Sequence, residues 1–238
     1  MSSIWLIRHG QAGLRHDYDA LSDLGRVQAR RLGEHLAQRK TTFQTVYSGG
    51  LRRQSETAGE VARVYREAGL AVPEITVDPG WNEFDLEGVY REIAPALAAD
   101  NPRFRREYEE LERLMADESH AIHHAWSPCD VEIVRAWIEG RYPTRTESWP
   151  AFQERIRSRF PVVARQALAG PVAIFTSAVP IALWMGLALG VADGAVLRLA
   201  GVMYNSAITT FRLRQEELML FTFNGIPHLA EPETMTFR

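Results

Sequence analysis

Short apolar runs alternate along this chain with longer segments of helical period, and that rhythm restricts the fold more than any other feature. Ile4-Trp5-Leu6-Ile7, Phe43 to Ser48, Val72 to Val77 and Val172 to Thr176 read as strands. Between the first two lies a segment capped by Ser22 and running to about Arg39. Its Leu24, Val27, Leu32 and Leu36 fall on or near one face. Leu51 to Ala68 reads as a second helix, ended by Gly69. Strands separated by helices build βαβ units around a largely parallel sheet. Two alternating segments close the chain, Ala207 to Leu213 and Leu218 to Phe223, as an antiparallel hairpin at the sheet edge.

The rhythm lapses between Gly88 and Pro150. Helices are expected there at Tyr90 to Ala99, Pro102 to Met115 and near Val131 to Glu139. We read this stretch, about 89–150, as a helical cap inserted over one end of the sheet of a single domain spanning 1–238. The rhythm returns with a helix from Trp149 to Leu168, the apolar strand 172–176, and a helix starting near Pro180, a residue suited to a first helical turn. The expected class is α/β, with three α/β/α layers around a mostly parallel mixed sheet.

At 238 residues, with 46% hydrophobic and 24% charged, the chain can bury a substantial core. A net charge of -3 gives no basic field to attract nucleic acid. Cys129 is the only cysteine, so a disulfide framework is excluded and a cytosolic location is the expectation. Ala178 to Ala192 is apolar but carries Pro180, Gly186 and Gly190, and it is shorter than the ~20 residues a membrane span needs. It reads as a buried helix, with no membrane role.

Ligands of open α/β sheets bind at the carboxyl ends of the strands. Arg8, His9 and Gly10 follow the first strand. An imidazole serves as nucleophile or base, Arg holds phosphate with a bidentate fork, and Gly admits close approach to the backbone. Ser48-Gly49-Gly50-Leu51-Arg52-Arg53 follows the second strand and opens a helix. Two arginines oppose the dipole there, unless an anion sits between them and the free N–H groups. The third strand leads to Asn82-Glu83-Phe84-Asp85-Leu86-Glu87-Gly88, which supplies carboxyl groups. The late strand leads to Thr176-Ser177-Ala178 at another helix start. A nucleophile, cationic clamps and an acid are the parts of phosphoryl transfer. The cations neutralise the equatorial oxygens, and the acid protonates the departing one.

Leu6-Ile7-Arg8-His9-Gly10-Gln11-Ala12, then Leu21-Ser22-x-x-Gly25-x-x-Gln28-Ala29, resembles the histidine phosphatase superfamily of phosphoglycerate-mutase-like proteins. Tyr47 to Ala58, with Leu51, Arg53 and Thr57-Ala58, is similar to that family's second signature, and Asn82-Glu83-Phe84-Asp85 with Gly88 to its acid motif. The resemblance implies a mixed sheet with helices on both faces and His9 as the phosphorylated nucleophile. It further implies Arg8 and Arg53 as phosphate ligands and Glu83, in preference to Asp85 or Glu87, as proton donor. Gly10 and Gln11 are further candidate phosphate contacts. The family's usual Ser-His-Gly after the late strand is Thr176-Ser177-Ala178 here, so Ser177 stands where a second phosphate-binding His is usual. A hydroxyl caps a helix or donates one neutral bond, and charge-assisted bonds are roughly twice as strong. Gly13-Leu14-Arg15-His16 also lacks the Asn usual in the mutase branch.

These features lead to an expected phosphomonoester phosphatase using neither metal nor cofactor, slowed by the missing His, and acting on a small phosphorylated substrate. Two alternatives stand beside it: a catalytically weak phosphate-ligand-binding protein, and a phosphoprotein (phosphohistidine) phosphatase. His120, His123 and His124 are read as part of a lid rather than a metal site, Trp137, Trp149 and Phe152 as core of the insertion, and His228 as structural.

Overall fold

The computed structural model describes residues 2–214 and 217–237. The chain divides into two compact units, one of residues 1–13, 17–83 and 156–238, the other of residues 14–16 and 84–155.

The first unit is built on a six-stranded sheet of order β3-β2-β4-β1-β5-β6. Its strands are β1 (Ser3–Arg8), β2 (Thr45–Ser48), β3 (Ile75–Val77), β4 (Val172–Thr176), β5 (Ile208–Arg214) and β6 (Glu217–Gly225). The first four run parallel, with Ile4 opposite Val172 and Val46 opposite Ala173. β5 pairs antiparallel with β1, and β6 with β5, which makes the expected edge hairpin. Both faces are covered because neighbouring side chains point opposite ways. Ile7, Ala173 and Phe175 share a core with Leu32 and Leu36 of α1 (Asp23–Gln38) and Val61 and Tyr65 of α2 (Arg52–Glu67). On the other face α7 (Phe160–Ala169) and α8 (Ala178–Leu189) cover β1 and β4, and Trp184 packs edge-on against Phe160 and Phe211. This is a three-layer α/β/α arrangement.

Element ends shift by a few residues from the sequence expectation, as where α3 begins at Leu86 rather than Tyr90, and three differences are larger or have a local cause. β3 begins at Ile75 rather than Val72, because Pro73 has no N–H for the ladder. The helix expected over 149–168 is two, α6 (Trp149–Arg157) and α7. Pro161 explains the break, since its ring excludes the carbonyl four residues back and suits a fresh first turn. An unanticipated helix, α9 (Asp193–Gly201), follows α8, in a stretch whose Ala192-Asp193-Gly194 reads locally as a turn. Gly190 ends α8 at φ 63°, a conformation that needs glycine.

The second unit is helical: α3 (Leu86–Asp100), α4 (Pro102–Met115), α5 (Pro128–Ile138) and the start of α6. Asn101 caps α4 by accepting from the Arg103 and Phe104 N–H groups, with Pro102 next. Ser127 and Asp130 form a capping box on α5. Phe84, Trp137, Trp149 and Phe152 form an aromatic cluster, with Phe84 stacked on Trp137 at 4.6 Å. Arg15 holds the fully buried Asp130 carboxylate through two N–H···O bonds of 3.0 and 2.7 Å.

Candidate active site

His9 is fixed before its side chain does anything. Its N–H donates to the Thr176 carbonyl at the end of β4 (2.9 Å), and its carbonyl accepts from Ser206 N–H just before β5 (3.0 Å). The imidazole is buried, with Nδ1 2.7 Å from the Gly10 carbonyl. A carbonyl only accepts, so Nδ1 carries the proton. Arg53 donates Nε–H to Nε2 at 3.2 Å, which likewise requires a lone pair on Nε2. Burial, and then the Arg53 and Arg8 charges, hold the His9 pKa well below the usual imidazole value. The ring is a neutral base or nucleophile whose Nε2 lone pair faces Arg53.

Arg8, the last residue of β1, is buried. It donates Nη1–H to the Met203 carbonyl, yet its buried Nε–H has no acceptor among the described residues. A buried donor without a partner costs about 1–3 kcal/mol. Burial lowers the Arg8 pKa, opposed by Tyr18 and Glu83. Arg53, on the first turn of α2, is also buried, and its guanidinium lies 4.9 Å from the centre of the Tyr18 ring.

The anion that the two arginines call for at the α2 N-terminus belongs to the chain itself. The Asp19 carboxylate accepts from the Arg52 N–H at 3.1 and 3.2 Å and from Arg53 Nη1 at 3.0 Å. The Arg52 side chain pairs with Glu56 on the outside of the helix. Asp19 and Tyr18 lie in a polar loop with no sequence signal to mark them.

Glu83 accepts the Val179 N–H at 3.2 Å, in the first turn of α8, where the dipole favours a carboxylate. Of its two rivals, Asp85 is used as the N-cap of α3 through Gly88 N–H (2.9 Å), and Glu87 lies in the first turn of that helix. Ser177 precedes α8 but makes no capping bond. Its hydroxyl accepts instead from Gln54 Nε2 at 2.8 Å. Gln54 is fully buried, donates also to the Trp81 carbonyl (3.2 Å), and lies against Gly49, where any β-carbon would collide with its amide. Gln54 was legible only as a position within the second signature.

Gly10 and Gln11 are otherwise engaged. Gly10 N–H donates to Thr57 Oγ1 (3.0 Å), and a β-carbon there would strike the Gly25 backbone, so this glycine admits α1 rather than open space. Gln11 donates its N–H to Gln28 and accepts from the Ser22 hydroxyl. The structure therefore brings His9, Arg8, Arg53, Glu83 and Ser177 to the carboxyl ends of β1, β2 and β4 and the turn after β3, with Gly10 and Gln11 as supports behind them. His120 caps its own short turn through Ile122 N–H, and His123 is buried beside the Asp117 carbonyl. Among the described residues no group of three His, Cys, Asp or Glu side chains is placed to hold a metal. His228 is half-buried against the Ser206 hydroxyl.

The parallel strands of the mixed sheet thus end beside a buried imidazole that accepts from a guanidinium group. Residues 4–121, just under half of the chain, match the model of the histidine phosphatase superfamily, branch 1. A stretch of 115 residues is 31% identical to the Caenorhabditis elegans protein called serine/threonine-protein phosphatase Pgam5, mitochondrial; it is 44% of this chain and 40% of that protein. The chain thus matches about two fifths of that relative's length. Among solved structures, a mycobacterial glucosyl-3-phosphoglycerate phosphatase in complex with inorganic phosphate is similar over 97% of this chain and all of the other, at 22% identity and a TM-score of 0.62. The alpha-ribazole phosphatase of Shigella flexneri is similar over 96% and 99%, at 18% identity and 0.59. At those identities the likeness is one of fold.

Proposed function

We propose that the protein hydrolyses phosphomonoesters through a phosphohistidine on His9. The observation that carries this reading is the neutral, buried imidazole whose Nε2 lone pair meets Arg53, with the unsatisfied Arg8 Nε–H close by. Nε2 attacks phosphorus, the P–O ester bond breaks, and the departing oxygen takes a proton from the Glu83 carboxyl group. Water then attacks the phosphohistidine and gives its proton to the Glu83 carboxylate. Phosphate leaves, and Nε2 regains its lone pair. Arg8 and Arg53 neutralise the equatorial oxygens, and their electrostatic help grows in a buried site. The reaction uses no cofactor or metal.

Ser177 contributes at most a neutral hydrogen bond to the transferring group. Its bond from Gln54 leaves the hydroxyl proton free to point at an oxygen. This arrangement supports slower turnover than a second imidazolium would give. The substrate is a small phosphorylated compound. The likeness to Pgam5 favours a second reading, in which a phosphorylated protein side chain is the substrate. The test is hydrolysis of para-nitrophenyl phosphate by the wild type and by His9→Ala. The wild type turns over and the variant does not; equal rates would remove His9 as nucleophile, and phosphate binding with no turnover in either would make the protein a phosphate-ligand binder.

A further inference from the structure

A second concave site lies in the sheet-bearing unit, away from the catalytic strand ends. It is a cavity of about 490 Å³, bordered by the early residues of β1, the last turn of α1 and the β5–β6 hairpin. That volume is in the range of small-molecule pockets. Its walls are mainly apolar: Trp5, Leu36, Ile208 and Phe221 line it. Phe221 is 56% exposed, a large aromatic surface left facing solvent.

The polar groups around it share one sign. His35, Arg39 and Arg212 are its ionisable lining residues, and among the described residues no carboxylate lines it. About half of the arginines pair with a carboxylate among the described residues, including Arg26, Arg30, Arg63 and Arg155. Arg39 and Arg212 have no ion-pair partner among the described residues, and the Arg212 guanidinium instead rests 3.4 Å from the centre of the Phe221 ring. Burial and the Arg39 charge lower the His35 pKa, so at neutral pH that ring is an uncharged donor beside two cations. Both guanidiniums are exposed, so their charges stay available to an anion whose apolar body covers the neighbouring ring.

We infer that this cavity binds an amphipathic carboxylate, an apolar chain or ring that lies on Trp5, Leu36 and Phe221 with its anionic head between Arg39 and Arg212. A neutral lipid would leave the two cations unmatched, and a cationic amphiphile would meet like charge. The site is independent of the phosphatase reading, because none of its residues belongs to the His9 constellation.

The probe is decanoate, titrated below its micelle concentration and followed by calorimetry and tryptophan fluorescence. Decyltrimethylammonium is the charge-reversed control. The expected result is saturable one-to-one binding of decanoate, weakened at least tenfold in Arg39→Glu/Arg212→Glu and unchanged in His9→Ala. Both arginines are in contact with solvent and outside the core, so circular dichroism of the double variant verifies its fold. Decanoate that fails to saturate, binds the double variant as well as the wild type, or binds no better than decyltrimethylammonium would overturn the inference.

Discussion

Replacing Asp19 with Asn should tighten phosphate binding. Asp19 occupies two features that would otherwise serve a bound phosphate, the Arg53 Nη1–H at 3.0 Å and the α2 N-terminal N–H of Arg52 at 3.1 Å. Its side chain is 53% exposed, so solvent screens it and its ion pair belongs at the surface value of about 0.2–1 kcal/mol. An anion at an exposed helix N-terminus contributes a further 0.3–1 kcal/mol or so. A phosphate competing for the same groups must overcome about 0.5–2 kcal/mol, a factor of roughly 2–30 in affinity. Asn keeps the shape and an acceptor oxygen but removes the charge. Competitive inhibition by inorganic phosphate, measured on para-nitrophenyl phosphate hydrolysis, should strengthen by that factor. The gain should shrink at high salt, because the competing pair is half exposed. Phosphate binding that is unchanged or weaker in Asp19→Asn would refute the reasoning, and would mean that Asp19 orients Arg53 rather than competing for it.

Three other outcomes follow from the same geometry. Ser177→His alone should not raise turnover, because an imidazole there meets the buried Gln54 amide; Ser177→His with Gln54→Ala should raise it, and a rise in the single variant would show that Gln54 yields. Glu83→Gln should slow alkyl phosphates about 10²–10⁴-fold and aryl phosphates far less, since an aryl oxide leaves without a proton; equal losses would remove Glu83 as the acid. The third concerns acid stability. Burial pushes the His228 pKa down to about 3 and holds His9 low as well, while the unfolded chain protonates both near 6.5. The His228 contribution is complete above pH 6.5 and lost at ~1.4 kcal/mol per pH unit as pH falls toward about 3, and His9 acts in the same direction. Denaturant titrations from pH 7 to 4 should show this slope, and His228→Gln should flatten it by one ring's share; an unaltered slope would contradict the assignment.

The parts of the molecule that sequence made legible are those where one residue has one local reason. The apolar strand 172–176 had its observed bounds in the sequence, because a short apolar run cannot satisfy itself as anything but a buried strand in such an alternation. The Ser22 cap and the Pro102 start of α4 were likewise local. Pro73 and Pro161 were in view too, yet their effect depends on whether an N–H was needed at that place, which the ladder and the helix decide. Arg8, His9, Arg53 and Glu83 could be singled out because strand ends and the resemblance to the family's motifs point to the same positions. Asp19 and Gln54 could not: nothing along the chain says that a loop carboxylate lands on Arg53, or that the amide of a helix's third residue supports a hydroxyl 123 positions away. The close packing of Gly10 was out of reach for a related reason, as its tight neighbour is Gly25 on another element.

The central claim is a covalent bond from phosphorus to His9 Nε2. Mixing enzyme with a phosphomonoester, quenching within one turnover in alkaline denaturant and mapping peptides by mass spectrometry reads it directly. The account predicts an added phosphoryl group on the peptide carrying His9, absent from His9→Ala. Turnover with the label on another residue, or with no labelled peptide and activity retained in His9→Ala, would contradict it.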